Sequence, residues 1–131
     1  MNISKTTDIA LLLLRLTFGG LMIINHGWKK FMKFFADDPI KFADPIGLGA
    51  ETSLGLAVFA EVFCAVMLML GLFTRQVVIP LIITMLVAIF IIHWDDPFKK
   101  KEMAFLYLIP YICLLIKGAG WYSLDAQIRK V

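Results

Sequence analysis

Apolar residues arrive along this chain in four long runs separated by short polar punctuation. The runs cover Ile9–Trp28, Thr52–Phe73, Gln76–Trp94 and Met103–Gly118. Each approaches the ~20 apolar residues that a hydrocarbon core demands, the last being somewhat short. Neither Leu11–Leu14 nor Val77–Ile92 alternates polar with apolar residues, as a closed transmembrane barrel would, so helices are the spanning element. At 60% hydrophobic residues and a mean hydropathy of +0.84, a soluble domain of 131 residues would have too little interior to hide its apolar side chains. The pattern predicts an all-α polytopic membrane protein. A single domain over residues 1–131 holds four transmembrane helices in an antiparallel four-helix bundle. The first run exceeds the apolar core of a signal peptide and ends in HGWKKF with no small-residue cleavage site, so it is expected to remain as a span.

The punctuation carries further detail. Gly71 marks the end of the second span, and Thr74 is placed to cap the third with its hydroxyl. Pro80 is expected in or just beyond the first turn of its helix, where a missing donor costs little. Pro110 falls mid-span, where it frees the Leu106 carbonyl and should kink the helix. Gly118 and Gly120 stop the fourth span, and Ser123 can cap a short helix from Leu124 onward. The connection Lys29–Glu51 is too polar to span, yet it mixes Phe31, Phe34, Phe35 and Phe42 with lysines. An interfacial or partly re-entrant segment fits it. The two Asp-Pro-Ile triplets at Asp38 and Asp44 mark turns. Trp28, Trp94, Trp121 and Tyr122 fall at span ends, as in an aromatic belt.

The formal charge of +3 comes from 13 basic and 10 acidic groups, mostly outside the runs. No basic patch interleaved with exposed aromatics marks a nucleic-acid surface. An even number of spans puts both termini on one side of the bilayer. Lys29, Lys30, Lys33, Lys41, Lys99, Lys100 and Lys101 lie on the connection side, against Lys5, Arg75, Lys117, Arg129 and Lys130 on the terminal side. Positive-inside counting then favours external termini by a small margin.

Charges within the spans are costly and normally face the interior. Arg15 and Glu61 lie at similar depths, and they are expected to pair. That pair can fix helix register or take part in proton or substrate handling. His26 ends the first span, His93 ends the parallel third, and Glu102 opens the fourth, so all three are expected around one pocket on the connection side. Arg15 and His26, eleven residues apart, are expected on one helix face. No spacing motif supports a metal site, and haem ligation by the two histidines is a weaker reading than a quinone site. A quinone needs a polar donor beside an apolar groove, and a histidine can carry the coupled proton. The alternative is that both histidines only hydrogen-bond at the interface. Binding through them would change between about pH 5.5 and 7.5, around the ordinary histidine pKa of ~6.5. Cys64 and Cys113 form no C-x-x-C and are expected to be buried as small apolar residues.

RLTFGGLMIINHGWKKF at Arg15–Phe31, LAVFAEVFCAVMLMLGLFTR ending at Arg75, TMLVAIFIIH ending at His93 and GAGWYSLD at Gly118–Asp125 together resemble the DoxX family of small bacterial membrane proteins. The resemblance implies a four-helix bundle in the bacterial plasma membrane and a redox association, since relatives include a subunit of a thiosulfate:quinone oxidoreductase. It also implies that Arg15, His26, Lys30, Glu61, Arg75, His93, Glu102 and Asp125 occupy the family's polar positions. Of these, His26, Lys30, His93 and Glu102 form the candidate ligand pocket. The chain has no dinucleotide fingerprint, cluster-ligand spacing or nucleophile elbow. It is therefore expected to be a subunit beside a redox partner, or a homo-oligomer, and not a complete enzyme. A membrane assembly factor or scaffold is the competing reading, with a small transporter or proton path third.

Overall fold

The computed structural model describes residues 3–129, so Lys130 lies outside the described residues. All regular structure among them is helical, in four successive rods. The first rod joins α1 (Ile3–Met22), a π-helical turn (Ile23–Gly27), α2 (Trp28–Met32) and a 3-10 turn (Lys33–Phe35). The second joins α3 (Ala50–Val58), a π-helical turn (Phe59–Cys64) and α4 (Ala65–Leu70). The third joins α5 (Thr74–Val87) to a π-helical turn (Ala88–Ile92), and the fourth is α6 (Phe98–Lys117), followed by the short α7 (Leu124–Arg129). Ser4–Phe35, Ala50–Leu70 and Thr74–Ile92 are long and apolar enough to cross a membrane. α6 has the length but carries Lys99, Lys100, Lys101 and Glu102 near its start and Lys117 at its end, and it stands outside that set.

The first rod does not stop at Trp28 but continues through Lys29–Phe35. Lysine stems can lie along an apolar helix surface while their ammonium groups reach polar surroundings, so these lysines do not force an end to the helix. Residues 36–49 remain as the connection, closed by Asp44. Its Oδ1 accepts from Leu48 N at 2.8 Å and Ser53 Oγ at 2.9 Å, and its Oδ2 accepts from Gly49 N at 2.9 Å. These bonds, the one from Gly49 foremost, hold the Asp44 carboxyl below its ordinary range.

Side chains are sorted for a lipid solvent. Arg15 and Glu61 are 0% and 1% exposed, while Ile24 and Ile116 are 67% and 73% exposed. Apolar exteriors cost nothing in hydrocarbon, whereas charges must turn inward. α5 lies along α6 in the most extensive helix pair, and α1 packs on α4 and α6. Leu68, Val78, Leu81, Tyr111 and Leu114 fill the shared core.

Gly71 ends α4 in the left-handed conformation (φ 70°). Gly71 N donates to Leu68 O at 3.0 Å and Leu72 N to Met67 O at 2.9 Å, a paired closure of the helix end. The expected hydroxyl cap at Thr74 does not form, and its Oγ1 is buried without a partner. Phe73 occupies the cap position with φ 50°, which puts Thr74 inside the helix. The cap comes from far along the chain: Asp125 Oδ1 and Oδ2 accept from Phe73 N at 2.8 Å and Thr74 N at 3.0 Å. Asp125 N in turn donates to Gly71 O at 2.8 Å, so α7 is tied to the turn between the second and third rods. Ser123 Oγ accepts from Ala126 N at 3.2 Å and caps α7. Asp125→Ala should lower stability by about 1–2 kcal/mol, the ordinary cost of a lost helix cap, with Asp125→Asn intermediate. Thermal unfolding in detergent reads this directly.

Pro80 sits deeper in its helix than expected, because α5 begins at Thr74; its own carbonyl accepts from Thr84 Oγ1 at 2.8 Å. α6 runs unbroken through Pro110.

Candidate functional site

One cavity of about 700 Å³ takes lining residues from all three π-helical turns: His26 from the first, Glu61 from the second, Ala88 and Ile92 from the third. A π turn closes i→i+5 bonds, as His93 N does with Ala88 O at 2.9 Å. It inserts a residue relative to the α-helix and re-aims the side chains beyond it, and such turns recur at functional sites.

Gly27 permits a close approach of the first and second rods. A Cβ at this position would collide with the Glu61 carbonyl. One turn further on, on the same face, Lys30 reaches the Glu61 carboxylate: its Nζ lies 2.7 Å from Oε1 and 2.8 Å from Oε2. Gly27→Val should therefore push the rods apart and lower stability by about 1–3 kcal/mol. Gly20→Ala, where the nearest neighbour is the flexible end of Met69 at 3.6 Å, should be tolerated. Detergent melting curves of the two variants test the contrast.

The expected Arg15–Glu61 pair is thus replaced by Lys30–Glu61. Arg15 instead donates from Nη1 to Met69 O at 3.0 Å and Leu68 O at 3.4 Å, and from Nη2 to Tyr122 O. Leu68 and Met69 lie in the last turn of α4, where carbonyls lack the i+4 donor of a continuing helix; Leu68 O also accepts from Gly71 N, and the guanidinium serves both carbonyls at once. Matched depth between two charges does not fix a pair when helix-end carbonyls compete for the cation. The π turn at Ile23–Gly27 also breaks the 3.6-residue count that placed Arg15 and His26 on one face. Arg75 does a similar task for α6, donating to Leu115 O at 3.2 Å and Ile116 O at 3.3 Å.

His26 and His93 both line the cavity. The His26 ring meets Tyr107 edge-on, with centroids 5.5 Å apart, and its Nε2 is buried without a hydrogen-bond partner. His93 Nδ1 lies 2.7 Å from Asp96 Oδ2. That bond, aided by the charge of Lys100, holds the Asp96 carboxyl below its ordinary range. Glu102 is exposed and stands outside the cavity wall. α6 begins at Phe98, and its cavity stripe is Lys100, Met103, Ala104 and Tyr107, at i, i+3, i+4 and i+7; Glu102 is off that stripe. Lys33, Lys41, Phe42 and Lys100 join the wall and were not singled out from sequence. For Lys100 the stripe spacing was the available signal. Both cysteines are free; Cys64 is buried, but Cys113 is exposed, because the buried positions of α6 are Ala104, Tyr107, Leu108, Tyr111 and Leu114.

Polar residues therefore fall into two groups. Arg15, Arg75 and Asp125 close helix ends, while His26, Lys30, Glu61 and His93 face the cavity.

The DoxX family profile matches residues 10–94, which hold all three π-helical turns; the Gly118–Asp125 motif lies beyond that range. Two relatives are uncharacterized proteins of Haemophilus influenzae. One is 30% identical, with 98% of each chain covered. The other is 28% identical over 95% of this chain and 87% of the relative. No solved structure matches. By the profile match and the full-length relative together, the chain belongs to the DoxX family.

Proposed function

We propose that this DoxX protein is an antiparallel four-span bundle of the bacterial plasma membrane, with its termini outside. In this reading the cavity binds a quinone-like molecule, an apolar body with a polar head, and the protein serves as a redox-linked subunit beside a partner that supplies or takes electrons. The observation that carries the reading is the buried, unpartnered Nε2 of His26, a residue that lines a cavity whose wall also includes the apolar Met85, Ile92, Met103 and Ala104. A buried nitrogen without a partner is costly in the free protein, and a ligand head that bonds to it recovers that cost. The apolar wall suits a hydrocarbon or isoprenoid body. Tyr107, edge-on to the same ring, supplies an aromatic face for a flat head.

The test is binding of a water-soluble short-chain quinone analogue to the purified protein in detergent, read by tyrosine and tryptophan fluorescence. His26→Ala should weaken binding about tenfold, the equivalent of one hydrogen bond of ~1.4 kcal/mol, with the melting temperature nearly unchanged. Equal affinity in the two proteins would overturn the role of His26, and no binding to either would overturn the site.

A further inference from the structure

The cavity holds more positive charge than a neutral head requires. Lys30, Lys33, Lys41 and Lys100 line it, against Glu61 alone among the lining carboxylates. Both Glu61 oxygens are taken by Lys30. The nearby acids are also engaged. Asp44 is filled by Leu48, Gly49 and Ser53. Asp96 is bonded to His93, though within electrostatic range of Lys100. Among the described residues, no carboxylate lies within ion-pair distance of Lys33, Lys41 or Lys100. Lys33 is held in place by uncharged groups, its Nζ 3.3 Å from Lys41 O and 5.3 Å from the Phe42 ring centroid. Positive-inside sorting accounts for lysines on one side of a membrane. Lys33, Lys41 and Lys100 are exposed, yet all three line one cavity without an ion-pair partner, a local excess of positive charge that an anion would balance.

We propose that the ligand of this cavity carries an anionic head, a carboxylate or phosphate on an apolar tail, held by Lys33, Lys41 and Lys100. The proposal rests on the reading of the cavity as an amphiphile site and narrows its ligand class. A fatty carboxylate, an ionised hydroxyquinone and a lipid phosphate share this chemistry. The tail follows the apolar wall past Met103 and Ala104 toward Met85, while the ammonium groups surround the head at the polar end.

The experiment compares dodecanoate, dodecyl phosphate and dodecanol, which share a chain and differ in head, as ligands of the full-length protein in a neutral detergent. The two anions should bind about tenfold or more tighter than the alcohol, and that margin should shrink as salt rises. The Lys33→Gln/Lys41→Gln/Lys100→Gln protein should bind all three alike; single Gln variants with partial loss of the margin serve if the triple variant does not fold. Equal binding of alcohol and acid would overturn the anionic head while leaving the amphiphile site standing. Failure of all three ligands and of the quinone analogue, in protein with a cooperative melt, would overturn both. Competition from phosphatidylglycerol, and none from phosphatidylcholine, in lipid nanodiscs would identify the source as a membrane lipid. Absence of competition alongside tight dodecanoate binding would identify a free acid.

Discussion

Glu61→Leu should cost the protein about 2–3 kcal/mol of stability while Lys30 remains, less than for a fully buried pair because the Lys30 side chain is 27% exposed and its stranded ammonium is partly hydrated. Glu61 is 1% exposed and both of its oxygens contact the Lys30 ammonium. The lone ammonium left behind would sit beside the Gly27–Glu61 backbone contact with nothing to neutralise it. The Lys30→Met/Glu61→Leu double variant should recover most of the loss, since an apolar pair of similar volume replaces a desolvated ionic one at little net cost. Arg15→Met combined with Glu61→Leu should show no such recovery, because Arg15 bonds to carbonyls elsewhere. Reversible unfolding in mixed detergent micelles gives the three values, and recovery with Arg15 in place of Lys30 would contradict the pairing.

The second large effect is expected at Arg15 itself. Arg15→Met removes charge-assisted bonds to Leu68, Met69 and Tyr122. At ~1.5–3 kcal/mol for a bond to a charged group, and with some carbonyls able to find other donors, the loss should total about 3–5 kcal/mol. Lysine has a single nitrogen and cannot span three carbonyls, so Arg15→Lys should restore less than half. Arg75→Met is the comparison: its bonds are exposed, and its loss should stay within about 1 kcal/mol. Because Tyr122 precedes α7, limited proteolysis after Arg15→Met should cut first in residues 120–129. Early cleavage within residues 36–49 instead would place the weakened contact elsewhere.

The length and apolarity of the runs make the first three rods and the approximate position of the fourth legible, because burial in hydrocarbon depends on composition and little else. Helix ends are less so. Lys29, Lys30 and Lys33 after Trp28 suggest a terminus there, but the helical rod continues through them to Phe35. The three π turns have no sequence mark comparable to proline or glycine. Each adds a residue to the turn, so counts of 3.6 residues carried across Ile23–Gly27 or Phe59–Cys64 lose register. The pairing of Arg15 with Glu61 by depth fails for a different reason, since the carbonyls of Leu68, Met69 and Tyr122 take the guanidinium and leave Glu61 to Lys30. Thr74 and Asp125 show another limit, since a cap supplied from 51 residues away leaves no local pattern. The histidines were visible because they are few and sit at run ends. Lys33, Lys41 and Lys100 were not, because a lysine beside a membrane is usually a lysine facing water or headgroups.

Photoaffinity labelling tests most directly whether the cavity is the binding site. The probe is a dodecyl amphiphile with a carboxylate head and a diazirine midway along its tail, cross-linked to the protein in nanodiscs and mapped by peptide mass spectrometry. The expected result is labelling concentrated on Met22, Met85, Met103 and Tyr107, suppressed by excess dodecanoate and reduced in the Lys33→Gln/Lys41→Gln/Lys100→Gln protein. Labels spread over the outward-facing Leu13, Leu106 and Ile116, with none on the cavity wall and no suppression by competitor, would contradict it.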